Sequence, residues 1–365
     1  MRRVSDLIRP KRLHVVNTHG IGDVVMTLPM LMAAHSCDFQ LSMTVKSKTE
    51  AEVIGLLLFS QGINIEFICF QDYAKKGASG YLKMIADIRK IKPTHIVPTF
   101  SSNALRYNLL AWASGAKNKI GLNGPLGHLF QHRIERECIG HKVNKNIDLL
   151  EQALNFWTSP VDISLSSRLP MFKADVQKQK LLLSDLGIVN GPLVCLAPGS
   201  GVVESHKRWP IENYAQLALA LLGSGSQVAI VGGPGEEGLG LEISKVVGSM
   251  DGFFDVTGRF SIFDALLFLN SADCVVANCN GISHLASAVQ TPVVGLYGPT
   301  DPKLTGPYSE DLIAMHAGLE CSPCYSRQNI VGCGNPVCMK QIDVSDVYSA
   351  VAEILKKGAQ CEKNN

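Results

Sequence analysis

The chain has 365 residues, 46% of them hydrophobic and 18% charged, with a formal net charge of +2. That composition excludes a disordered chain, the length predicts two domains, and the near-zero charge gives no global sign of nucleic acid as a partner. No apolar run approaches the ~20 residues that span a bilayer, and the N-terminus lacks the apolar core of a signal peptide, so a cytoplasmic protein is expected.

Short apolar runs alternate with helix-length amphipathic segments, the pattern of a parallel α/β sheet. In the first half, strands are predicted at Leu13–Asn17, Gln40–Val45, Ile63–Ile68 and His95–Pro98, with helices at Gly22–Ala34, Thr49–Ser60, Tyr81–Ile91 and Ser102–Ser114. A polar, proline-containing stretch, Ser159–Pro192, reads as a linker that carries a helix at Asp175–Leu186. The second series places strands at Leu193–Ala197, Gln227–Val231, Cys274–Ala277 and Pro292–Leu296. Its helices are predicted at Ile211–Gly223, Glu236–Ser249, Ile262–Asn270 and Ile282–Val289, with Ser261 as an N-cap and a closing helix at Val344–Leu355. The expected division is 1–172, 173–342 and a closing helix and tail at 343–365: two Rossmann-like halves with a cleft between them.

Polar loops follow the strands, where ligands bind in open α/β sheets. After the first strand comes NTHGIGDVVMTLP, with Gly20 and Gly22 in a tight turn and Asp23 in the first turn of a helix. A carboxylate there stays ionised and can accept a proton; a plain capping role is the alternative. A dinucleotide site fits less well, because GIGDVV lacks the third glycine of G-x-G-x-x-G and the second strand leads to Lys46 and Lys48, not to a ribose-binding acid. The second half opens with LAPGSGVVESHKRWP, where Gly199, Ser200 and Gly201 offer free backbone N–H groups and Lys207 a cation, a combination suited to phosphate. In VAIVGGPGEEG, Glu236 or Glu237 can hydrogen-bond a ribose or a base edge, or simply suit the start of a helix. The stretch NCNGISHLASAVQTPVVGLYGPTD contributes Asn280, Gly281 and His284 at a second strand end.

Eleven cysteines are mostly placed in apolar runs and read as small core residues. Cys321, Cys324, Cys333 and Cys338 cluster as C-x2-C-x8-C-x4-C. The first pair suits structural zinc, whereas the second lacks the usual knuckle spacing, and free thiols or an oxidisable pair is the preferred reading. No acidic pair is spaced for a divalent metal, and no metal is expected. The basic residues Arg2, Arg3, Arg9, Lys11 and Arg12 face a single Asp6; they are either solvated or a peripheral contact with an anionic membrane.

In order, GIGDVVMTLP, PGSG…KRWP, GGPGEE, NCNGISHLASA…TPVVGLYGPTDP and CSPC…CGNPVCM resemble glycosyltransferase family 9, the ADP-heptose:lipopolysaccharide heptosyltransferases. The resemblance implies a GT-B fold, with an acceptor-side N-terminal domain and a nucleotide-sugar-binding C-terminal domain. It implies an inverting transfer of heptose from ADP-heptose to the lipopolysaccharide inner core at the cytoplasmic face of the inner membrane. Asp23 is then the general base, and Lys207 stabilises the leaving group. Gly199, Ser200 and Gly201 form the diphosphate loop, Glu236 or Glu237 contacts the nucleoside, and Asn280, Gly281 and His284 lie near the phosphates. The partners are a nucleotide-sugar donor and a lipid-linked or glycan acceptor, with no separate cofactor. The chain departs from the family's Asn-Asp-Thr/Ser-Gly pattern, reading Asn278, Cys279, Asn280 and Gly281. Asn280 can donate to a phosphate oxygen, but Cys279 cannot replace an ionised acceptor. The alternatives are a nucleotide-sugar-binding protein without transfer activity, or a member with a different donor sugar or acceptor.

Overall fold

A computed structural model describes residues 10–134, 140–157, 169–188, 191–324 and 334–363. The chain divides into two compact units, Met1–Pro170 and Met171–Asn365.

The N-terminal unit runs β1 (Arg12–Val16), α1 (Ile21–Val25), α2 (Leu28–Ser36), β2 (Gln40–Val45), α3 (Lys48–Phe59), β3 (Ile65–Cys69), α4 (Gln71–Ala74), α5 (Gly77–Ile91), β4 (His95–Pro98), α6 (Ala104–Ala113), β5 (Asn118–Lys119), the two-residue strands β6 (Gly121–Leu122) and β7 (Arg133–Ile134), and α7 (Lys142–Trp157). Its main sheet is parallel, in the order β3-β2-β1-β4-β5. Helices cover a parallel sheet on both faces, so its central strands are buried and apolar throughout; Leu13, Val15, Val16, Ile96 and Val97 are all buried.

The expected single helix Gly22–Ala34 is broken into α1 and α2. Pro29 stands in the first turn of α2 and brings no N–H, and the Thr27 hydroxyl turns back to donate to the Val24 carbonyl at 2.6 Å. Helix α3 starts from a capping box in which Ser47 and Glu50 satisfy each other's backbone N–H groups.

The C-terminal unit runs α8 (Val176–Asp185), β8 (Leu193–Ala197), α9 (Ile211–Gly223), β9 (Gln227–Ile230), α10 (Glu237–Val247), β10 (Phe253–Asp255), α11 (Ile262–Asn270), β11 (Cys274–Asn278), α12 (Gly281–Ala288), β12 (Val293–Leu296), α13 (Pro302–Thr305), β13 (Leu312–Met315), α14 (Val337–Lys340) and α15 (Val344–Lys363). Its parallel sheet is ordered β10-β9-β8-β11-β12-β13. Val194, Leu196, Val276 and Val294 from the strands pack with Tyr214 and Leu221 of α9 and Val347 and Val351 of α15. Ser261 caps α11 as expected, accepting from the Asp264 N–H.

Strand order reverses at β1/β4 in one sheet and at β8/β11 in the other. A crevice opens beyond the carboxyl ends of the strands at such a switch point. The polar loops identified in the sequence leave β1, β8 and β11, so three of the four switch-point strands carry them.

Candidate functional site

In the N-terminal unit, β1 leads directly into Asn17, which is fully buried. Its amide donates to the Asp23 carbonyl at 3.2 Å and its oxygen accepts from the His19 N–H at 3.0 Å, so one side chain shapes the whole turn. Gly20 caps α1 in an extended conformation, and a Cβ there would meet nothing within 4 Å. The tightness of the turn therefore comes from Asn17 rather than from glycine freedom.

Asp23 sits in the first turn of α1. That helix has only five residues, so its dipole is too slight to hold a charge alone. Two side chains far away in sequence supply what it lacks: Ser101 Oγ donates to Asp23 Oδ1 at 2.5 Å and Lys142 Nζ at 2.9 Å. The side chains of the Lys142–Asp23 pair are 11% and 18% exposed, so solvent screening is weak. Ser101 lies in the loop after β4, which Ser102 ties back to β1 through its hydroxyl and the Val16 carbonyl at 2.5 Å. Arg106 of α6 donates to Thr18 Oγ1 at 2.8 Å and stacks 4.2 Å from the Phe70 ring. Neither Ser101 nor Lys142 was anticipated from the sequence; they stand 78 and 119 residues from Asp23, and no local pattern links them.

In the C-terminal unit, the loop after β8 carries Gly199, Ser200 and Gly201. Gly199 lies close against Glu236: a Cβ there would stand 1.9 Å from Glu236 Oε1 and would displace that carboxylate. Glu236 in turn accepts from the Gly233 N–H at 2.9 Å. Burial pushes its carboxyl above the usual carboxylate range, while the Gly233 N–H and Arg208 pull the other way. Glu237 turns elsewhere, accepting from the Gly235 N–H at 2.8 Å and lying against Gly258. The fold thus brings Glu236, not Glu237, to the Gly199 loop. Arg208 grips Ser200 twice, Nε to Oγ at 3.0 Å and Nη2 to the carbonyl at 3.2 Å. Lys207 is buried and pairs with Glu204 at 2.6 Å, with Glu204 beside Gly201.

The β11 end joins this loop. Asn278 is fully buried, accepts from the Trp209 N–H at 2.9 Å and donates to the Pro198 carbonyl at 2.8 Å. Asn280 caps α12, accepting from the Ser283 N–H at 3.0 Å while its amide donates to the Gly199 carbonyl at 2.9 Å. Gly281 begins α12, and His284 is buried one turn on. Gly199, Ser200, Glu236, Asn280 and Gly281 are therefore one cluster, with Lys207 reaching it through Glu204. Trp209 anchors the core, its indole donating to the Ile342 carbonyl at 3.0 Å and its ring edge-on to Tyr214.

Of the clustered cysteines, Cys321 and Cys324 are exposed and Cys338 is buried, while Cys333 lies outside the described residues. Among the described residues no three His, Cys, Asp or Glu side chains are grouped to hold a metal ion, and no helix is long and apolar enough to cross a membrane. Of the N-terminal basic cluster, Arg2, Arg3 and Arg9 also lie outside the described residues, whereas Arg12 is engaged with Gln40 and the Ile91 carbonyl.

Two Rossmann-like parallel-sheet units, each with its polar residues gathered at a switch point, define the GT-B class. Residues 100–334 match the model of glycosyltransferase family 9 (heptosyltransferase), and the chain belongs to that family. It is 33% identical over 136 residues to lipooligosaccharide heptosyltransferase 2 of Haemophilus influenzae, covering 37% of this chain and 38% of that protein. It is 24% identical over 338 residues to lipopolysaccharide heptosyltransferase 1 of Salmonella typhimurium, covering 87% and 96%. The chain thus spans about two fifths of the Haemophilus protein but nearly all of the Salmonella one. Its fold matches E. coli ADP-heptose lps heptosyltransferase II with a TM-score of 0.73 at 19% identity over 96% of this chain and 99% of that one. It also matches a family 9 glycosyltransferase from Veillonella parvula, with a TM-score of 0.77 at 21% identity over 96% and 98%.

Proposed function

We propose that this protein is an inverting glycosyltransferase that moves heptose from ADP-heptose to the inner core of lipopolysaccharide, with Asp23 as general base. The observation that carries the reading is the Asp23 carboxylate, set at a switch point and gripped by Ser101 and Lys142. Family membership and the similarity to lipopolysaccharide and ADP-heptose heptosyltransferases support the donor and the acceptor.

In the step proposed, the acceptor hydroxyl gives its proton to Asp23 and its oxygen bonds to the anomeric carbon. The bond from that carbon to the diphosphate breaks, and ADP departs with the electron pair. Lys207, the N–H groups of Gly199–Gly201 and the start of α12 at Gly281 and His284 stabilise the departing charge, and Glu236 holds the nucleoside. The nucleotide sugar is a substrate, and no separate cofactor is invoked. Turnover is proposed to be independent of metal; loss of activity in EDTA with recovery in magnesium would refute that. The site of action proposed is the cytoplasmic side of the inner membrane, with peripheral contact through the basic N-terminus; flotation with anionic vesicles tests that contact.

Transfer from ADP-heptose to heptose-free lipopolysaccharide is the direct assay. Asp23→Asn should keep donor affinity and lower turnover by ~10²-fold or more. An unchanged rate removes Asp23 from the role. A second reading, a different donor, is favoured by Cys279 and by the Asn280 amide being engaged with the Gly199 carbonyl. Calorimetry against ADP-, UDP- and GDP-sugars separates the two, and donor binding without transfer would mark a binding protein.

A further inference from the structure

Helix α7 approaches α1 with one face. Lys142, Lys145 and Asn146 stand at positions i, i+3 and i+4, so they project together. Each is buried, and each holds a different part of the Asp23 surroundings. Lys142 bonds the carboxylate itself. Asn146 donates to the Met26 carbonyl at 3.0 Å, at the C-cap of α1, and accepts from the Phe100 N–H at 2.8 Å. Lys145 lies 4.3 Å from the Phe100 ring, beside Ser101. A five-residue helix does not fix its own geometry, whereas α7 has sixteen residues and an apolar face in the core. The base and the loop that buttresses it are therefore clamped from outside, by a helix that follows them in sequence.

We propose that Lys142 is a positioning residue for Asp23, with Ser101 as the second donor to the same oxygen. The inference rests on the reading of Asp23 as the base. The ammonium does two things that the serine alone cannot. It compensates a charge that is largely removed from water, so the carboxylate remains ionised and able to take a proton. It also fixes the carboxylate rotamer through Oδ1, with α7 as the rigid support. When the proton from the acceptor arrives on Asp23, the ammonium stays in place, and the pair passes from neutral to a single positive charge.

The test is steady-state transfer from ADP-heptose to heptose-free lipopolysaccharide by the full chain. Lys142→Met should lower kcat about tenfold or more while leaving the donor KM within about twofold, since the donor loop lies in the other unit. Lys142→Arg, which restores the charge, should recover a large part of that loss. Ser101→Ala should cost less, about threefold, because it removes an uncharged donor and leaves the ammonium on the same oxygen. A urea melt followed through Trp157 at the end of α7 checks that the N-terminal unit of each variant is folded, and Lys142→Gln replaces Lys142→Met if the latter's is not. Wild-type kcat in the neutral Lys142 variants, with Asp23→Asn inactive, overturns this inference and spares the base. An arginine variant as slow as the methionine one also overturns it. Wild-type kcat in Asp23→Asn overturns the base reading itself.

Discussion

The two sheets repeat one register with different chemistry. In the N-terminal unit Leu13 of β1 pairs with His95, the first residue of β4; in the C-terminal unit Val194 of β8 pairs with Cys274, the first residue of β11. The third residue of β1 is His14, and the third residue of β8 is Cys195. Matched central positions thus hold imidazoles in one unit and thiols in the other. His14 is enclosed between the Ser42 and Thr44 hydroxyls, at 2.9 and 2.8 Å, so each ring nitrogen has a partner. Cys195 and Cys274 are buried as small hydrophobes. A Rossmann-like core accepts either, provided the polar one is fully bonded.

The difference has consequences for acid. Burial pushes His14 down to about 3, and burial, then the nearby Lys11, brings His95 down to about 4. Above pH 6.5 neither the folded nor the unfolded chain binds these protons. As pH falls, the unfolded chain takes them up first, so stability declines from pH 6.5 towards 3. For His14 alone the full loss is roughly 4–5 kcal/mol, the largest effect expected. Urea melts from pH 7.5 to 4.5, followed through Trp157, whose ring is 4.9 Å from His95, should show the N-terminal unit weakening first. His14→Gln should flatten that dependence, and a C-terminal unit that weakens equally would end the contrast.

Next in size is Asn278→Ala. It strands the buried Trp209 N–H and the Pro198 carbonyl, for a cost of about 1–3 kcal/mol measured by denaturant unfolding. Gly199→Ala should change stability less, because the atom it meets is the mobile end of Glu236. Displacing Glu236 should nonetheless weaken donor binding, seen by calorimetry as a larger Kd with nearly the same Tm. The smallest effect concerns reactivity: burial raises the thiols of Cys195 and Cys274, so both should resist thiol reagents in the folded protein while Cys321 and Cys324 react.

Most of the strands were legible because a parallel strand buried on both faces is a continuous apolar run bounded by turns. The break at Thr27 was not, since the apolar run continues across it and only Pro29 marks the change. Helix α7 was missed although Val143, Leu150 and Leu154 have helical spacing; its polar opening, HKVNKN, masks the period. The edge strands β10 and β13 were also missed, because they are only half-buried and form no continuous apolar run like those of the central strands. In the C-terminal unit the clustering of Gly199, Ser200, Glu236, Asn280 and Gly281 was legible because their loops follow strands directly. The clamp on Asp23 was not, since it is assembled from a loop and a helix whose only link to GIGD is three-dimensional.

The Trp209–Ile342 bond joins residues 133 positions apart, and Val347 and Val351 complete the same core. During synthesis, the elements of the N-terminal sheet and its clamp have all emerged by Trp157. The C-terminal unit begins at Met171 but cannot satisfy its central indole until Ile342, just before α15, is translated. Its apolar strands therefore wait on the ribosome longer than their own sequence span suggests. A stall or truncation before Ile342 would leave β8, β9, β11 and β12 made but missing the cover that α15 adds to α9, a state prone to aggregate.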